Sequence, residues 1–294
     1  MASVIGRIAP WRQTAWDARA AGNFIGGGTG TGMLLIAAVV AGPAYPNLAL
    51  LGMGLVGAGL LCVWAEIGRP WRALNVFRHA RTSWMTREAM LAPLLFAVAL
   101  SAVAFGGRPL GWIAAALALA YLYCQARMLH AGRGIPAWRH GHVLPLMLIT
   151  GCTEGAGLCV TTLTLLHSRA LPFWLPWLLV ALLLARLLAF ASYRRALAYT
   201  GAPGKALAVL KHFGRLLLML DVAAALAVII GAQMAPIGWL MPIAGLLAVL
   251  AGWLLKLTIV VRAAFNQGFA LPQMPDRGFG SIRTVVKPGW QELT

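Results

Sequence analysis

Eight runs of this chain, roughly residues 24–42, 47–65, 89–106, 110–130, 142–166, 172–193, 214–233 and 237–260, are mostly apolar and near membrane-spanning length. A helix needs about 20 such residues to cross the hydrocarbon core of a bilayer. Over the whole chain 61% of residues are hydrophobic and 11% are charged, with a mean hydropathy of +0.80. A soluble domain carries about a quarter charged residues, so this chain lacks the polar surface to cover a soluble globule. The predicted fold is all-α: a polytopic bundle of eight transmembrane helices in one membrane domain, 1–294. It divides into an N-terminal segment (1–23), the bundle (24–262) and a C-terminal tail (263–294).

The formal charge of +17 raises nucleic acid as a partner, but the basic residues lie between the apolar runs and report topology instead. Of 24 Lys and Arg, 20 fall on one set of alternate connections, and only Arg108 and Arg169 fall on the other. Arg186 and Lys256 lie within spans. Basic residues accumulate on the cytoplasmic side. Both termini and all the longer loops are therefore expected in the cytoplasm, with the bundle in a bacterial inner membrane. The N-terminus lacks the pattern of a cleaved secretory signal, so the first span is expected to stay. Cys62, Cys124, Cys152 and Cys159 sit in apolar runs without a CxxC, which supports neither a disulfide framework nor a cysteine-held cluster.

The connection 66–88 is the most informative stretch. Pro70 suits a first helical turn, and Trp71, Leu74 and Phe77 recur at a spacing of three, with Arg72, Arg78 and Arg81 on other faces. This predicts a short helix lying in the membrane interface. Glu66 and Glu88 stand at the ends of adjacent spans among arginines. One reading is charge compensation and lipid anchoring. The other is a site for an amphipathic redox ligand such as a quinone, whose ring needs a proton acceptor near water and whose tail needs lipid.

The run Gly68-Arg69-Pro70-Trp71-Arg72 followed by Ser83-Trp84-Met85-Thr86-Arg87-Glu88 resembles the LGRP…SWMSRE signature of dimethyl-sulfoxide-reductase-type anchor subunits. These belong to the broader polysulfide-reductase-type (NrfD-like) membrane family. Asn23-Phe24-Ile25-Gly26-Gly27-Gly28-Thr29-Gly30-Thr31-Gly32 is similar to the family's F-x-G-G-x-G-x-G opening helix. The resemblance implies a non-catalytic anchor that holds a molybdopterin catalytic subunit and a ferredoxin-like iron–sulfur subunit and exchanges electrons with the quinone pool. It implies that Glu88 is the quinone's proton acceptor, with Asn23, Glu66, Arg69, Arg72, Arg78, Arg81, Trp84 and Arg87 forming the quinone site and docking surface. Where some relatives carry a histidine before Gly-x-Pro, this chain has Glu66.

Four ionisable residues lie deeper. Glu154 is twelve residues beyond His142, about 18 Å at the helical rise. Arg186, Asp221 and Lys256 lie roughly 9–12 Å from the basic ends of their spans. Intramembrane charges usually face the bundle interior. Asp221 is read as the ion-pair partner of Lys256 or Arg186. Glu154 has no evident partner and is read either as a hydrogen-bonded acid or as part of a proton path. The alternative function is accordingly a secondary transporter or ion channel using Glu154, Asp221 and Lys256. Tyr121 and Tyr123 are read as interface anchors. A membrane haem needs two axial ligands inside the bundle, and His79, His130, His140, His142, His167 and His212 all fall near span ends. Neither haem nor metal is expected in this subunit.

Overall fold

The computed structural model describes residues 9–66, 75–77, 79–166, 171–233 and 239–268. Eight helices among them are long and apolar enough to cross a membrane. They are α1 (Ala18–Val40), α2 (Tyr45–Glu66), α3 (Trp84–Phe105), α4 (Arg108–His130), α5 (Val143–Leu166), α6 (Trp174–Tyr199), α7 (Gly204–Gln233) and α8 (Leu240–Leu257). A π turn, Thr258–Arg262, continues α8, and a single helical turn, Pro136–Arg139, precedes α5.

The boundaries differ from the apolar runs where polar chemistry sets them. Helix α1 begins six residues early because the Asp17 carboxylate accepts the Arg19 N–H at 2.7 Å, satisfying one of the donors that a helix start leaves free. Helix α3 begins at Trp84 because the Ser83 hydroxyl accepts the Thr86 N–H at 3.3 Å. Helix α7 starts ten residues before its apolar run, carrying Lys205, Lys211 and His212 outward. A helix is not obliged to stop where the hydrocarbon does. Between α3 and α4 the chain turns through Gly106 and Gly107, at φ 71° and 97°, a conformation that only glycine adopts without strain.

The helices close into two rings of four. Neighbours α1–α2–α3–α4 pack in sequence and α4 returns to α1; α5–α6–α7–α8 do the same, with α8 against α5. No internal repeat was evident in the sequence, yet the architecture is one of paired halves. Helices α1 and α5 form the seam between the rings, joined by α4 against α5 and α8 against α1. Glycine sets the approach there: a Cβ on Gly155 would overlap the backbone of Gly32. Small residues allow such contact where lipid supplies no hydrophobic drive between helices. Large apolar side chains cover the outside, Leu61 and Leu188 being 62% and 72% exposed, as a lipid-facing surface requires.

At the basic face the two ends of the described chain meet. The Gln13 N–H donates to the Ala264 carbonyl at 2.9 Å and the Asn266 N–H to the Trp11 carbonyl at 3.0 Å. Trp16 stacks on Trp138 with ring centroids 4.7 Å apart, and the Trp138 indole N–H donates to the Ile259 carbonyl at 2.8 Å.

Candidate functional site

The Ser83 cap fixes where α3 starts, and this places Glu88 on its second turn, facing inward. The Thr86 hydroxyl donates to the Val76 carbonyl, tying the connection to the same turn. Glu88 is buried. Its Oε1 accepts the Asn23 Nδ2–H of α1 at 3.2 Å and the Gln125 Nε2–H of α4 at 3.0 Å. Gln125 Nε2 also donates to the Asn23 carbonyl at 3.0 Å. With their amino groups turned to the carboxylate, the amide oxygens Asn23 Oδ1 and Gln125 Oε1 are left buried without a partner. Tyr121 lies against the same carboxylate with its hydroxyl outside hydrogen-bond geometry.

Glu88 lines a cleft of about 400 Å³ bounded by α1, α2 and α3, with Met128 of α4 as a further wall. The walls are mostly apolar, including Phe24, Leu60, Trp64 and Met85, and the polar groups are Asn23, Glu66 and Glu88. A concave, apolar site with a few converging polar groups is the usual form of a small-molecule site. Its carboxylate is held by neutral amides, with no ion pair to Glu88 among the described residues. Such a group can take a proton and return it, provided that the reacting atom comes within hydrogen-bond reach.

The charges expected around Glu88 are elsewhere. Arg87 turns back, donating to the Ala80 and Arg81 carbonyls at 3.0 and 2.8 Å and lying over the Trp84 ring at 4.1 Å. Arg127 covers the same ring at 4.8 Å, and Tyr123 meets its edge. Trp84 is thus held in a cation–π stack outside the cleft. Arg81 is exposed. Glu66 sits in the cleft wall at the end of α2. Arg69, Arg72 and Arg78, with Trp71 and Leu74 of the expected interfacial helix, lie outside the described residues; Phe77 belongs to a short exposed turn.

The deep charges correct the sequence reading at one point. Asp221 pairs with Arg186, fully buried, through two hydrogen bonds, and Arg186 Nη1 also donates to the Ala248 carbonyl at 2.9 Å. Glu154, for which the sequence offered no partner, is joined by the Lys256 ammonium at its Oε2. The Thr29 hydroxyl donates to that oxygen at 2.7 Å and receives the Trp253 indole N–H at 2.9 Å. The contact is possible because α8 packs on α5 and α1 at glycines: Lys256 Nζ lies over Gly28 and Glu154 over Gly252. The pair joins α5 and α8 of the second ring, and the Thr29 hydrogen bond ties it to α1 of the first.

Two members of the Glu88 cluster escaped sequence reasoning. Gln125 is the one amide in the apolar run of α4, a signal that was there to be read. Tyr121, read as an interface anchor, is fully buried instead, whereas Tyr123 is exposed. Among the described residues no group of three or more His, Cys, Asp and Glu is placed to hold a metal. Comparison with protein-family models and with the curated proteins finds no match for this chain.

Proposed function

We propose that this chain is the membrane anchor and quinone-reactive subunit of a molybdopterin/iron–sulfur oxidoreductase of anaerobic respiration. It passes electrons between the quinone pool and a ferredoxin-like iron–sulfur subunit docked on its basic face. One observation carries the reading: a buried carboxylate, Glu88, held by two neutral amides at the wall of an apolar cleft beside the lipid surface. The resemblance of the Gly68–Glu88 region and of the α1 glycine run to NrfD-like anchors supports it independently. The 20-to-2 distribution of Lys and Arg supports a cytoplasmic basic face with both termini inside.

On this reading Asn23 and Gln125 orient the Glu88 carboxylate toward the ring. Their unpartnered oxygens suit a ligand or water that brings a hydrogen-bond donor. Glu88 accepts one of the two protons released as a quinol gives up two electrons to the partner's clusters. The apolar walls exclude water from the ring. The pairing of all four deep charges within the bundle favours this function over a transporter or channel built on Glu154, Asp221 and Lys256.

The test is Glu88→Gln in the assembled complex. Shape is kept and the proton acceptor is lost, so quinone-linked turnover should fall by about 10²–10⁴, the contribution of a positioned acid–base group. Turnover of the catalytic subunit with an artificial dye should survive. A normal quinone rate in Glu88→Gln would overturn the assignment.

A further inference from the structure

Helix α2 carries a second concavity, on its outer side. Gly54, Gly57, Ala58, Leu61 and Trp64 recur at the three- and four-residue spacing that puts them on one face, and with Leu60 they line an open groove. Leu60 and Trp64 also line the Glu88 cleft, so cleft and groove adjoin at these two side chains. From Glu66 at the cleft to Gly54 is twelve residues, about 18 Å along the helix, which takes the groove from the basic face toward the middle of the bilayer.

The glycines here do not serve helix packing. Gly52 and Gly59, on the opposite face of α2, abut the backbone of α1, and a Cβ on Gly59 would come within 2.9 Å of Gly27 N. A Cβ on Gly54 would meet nothing within 4 Å, and one on Gly57 only the Phe96 ring tip at 3.8 Å. Glycine inside a helix destabilises it relative to alanine, and no neighbouring helix requires it at these two positions. What the missing side chains leave is a trough that starts at the cleft. At the cleft's polar end Asn23, 3% exposed, presents an oxygen without a partner.

We infer that this groove holds the isoprenoid tail of the quinone whose ring sits at Glu88, an inference that rests on the function proposed above. A molecule with a polar ring and a long apolar chain matches a polar cleft that drains into a lipid-facing trough. The groove then sets the direction from which the ring enters and favours long-tailed quinones over short ones.

The experiment fills the trough in the intact complex with Gly54→Leu/Gly57→Leu, the first Cβ entering open space and the second meeting only the Phe96 ring tip at van der Waals distance. Turnover is compared for a long-chain quinol and for a short-chain analogue whose tail ends before Gly57. The expected result is a KM for the long-chain quinol raised about tenfold, with kcat/KM for the short-chain analogue and dye-linked activity unchanged; a rise in KM alone marks lost binding. A milder variant, Ala58→Leu, should move in the same direction. In wild type, a quinone with a photoreactive group at the far end of its tail should label the α2 peptide containing 54–61. Equal effects on both quinols, no effect on either, or labelling confined to other helices would overturn the tail assignment. So would unchanged kinetics with loss of a copurifying phospholipid, which would make the groove an acyl-chain site. The failure of the ring assignment reads out separately: short-chain turnover would then be indifferent to Glu88→Gln.

Discussion

Removing Lys256 alone should cost more than removing it together with its partner. In Lys256→Met the side-chain volume is nearly kept, but Glu154, fully buried, loses the cation paired with it. Its Oε2 keeps one hydrogen bond, from Thr29, and its Oε1 has no partner to begin with. Stripping one member from a buried ion pair costs about 3–5 kcal/mol, because the other charge stays uncompensated, whereas replacing both with apolar residues is often neutral or stabilising. The double variant Lys256→Met/Glu154→Met should therefore recover most of the loss, giving a coupling energy of at least about 3 kcal/mol, at or beyond the top of the range usual for residues in contact. Thermal unfolding in detergent, followed by the fluorescence of the 12 tryptophans, should show Lys256→Met falling by on the order of 10 °C. The double variant should lie close to wild type. Quinone turnover should follow the amount of folded protein in each. If Lys256→Met is as stable as wild type yet loses activity or proton uptake, the pair is not a structural clamp. Glu154 and Lys256 then return as a transport or proton-path site.

Gln125→Leu should leave the complex assembled and lower quinone turnover, because Glu88 loses the donor at 3.0 Å that links it to α4; a normal rate would show that α4 does not orient the carboxylate. Reporter fusions within 66–88 and at Thr294 should report cytoplasm, and one beside Arg108 the outside. An external signal from Thr294 would reverse the orientation and move any docked subunit to the opposite face.

Much of the fold was legible because the signal is local. Each span is a mostly apolar window, and the eight windows correspond to the eight helices. The start of α7 was not legible, since Gly204–Arg215 is helical by continuation into water and not by apolarity. Glu88 and Asn23 were legible as members of short motifs, 65 residues apart in the chain but each conspicuous alone. The Glu154–Lys256 pair was not. Its two ends are 102 residues apart, and sequence gives each residue's depth but not which face of which helix it meets. That depends on the seam, where Gly155 meets the backbone of Gly32 and where Gly28 and Gly252 leave room for the side chains of Lys256 and Glu154. Gly54 and Gly57 show the converse: their composition resembles the packing glycines, and only the neighbouring atoms distinguish a helix contact from an empty trough.

The same seam connects the two polar centres. On α1, Asn23 holds Glu88, Gly27 makes room for Gln125, Gly28 for Lys256, and Thr29 holds Glu154. These six steps of one helix, about 9 Å of rise, carry contacts to both. In the first ring the turns at Ala41–Ala44 and Gly106–Gly107 are short and lie on the face away from the cleft. The connection between α2 and α3 on the basic face runs from 67 to 83. Within this ring α2 packs far more closely on α1 than on α3, with Gly52 and Gly59 set against the α1 backbone. The ion pair and the Trp253–Thr29–Glu154 chain fasten α1 to the second ring. Asn23, on the same helix, therefore holds the Glu88 carboxylate against a support that both rings share.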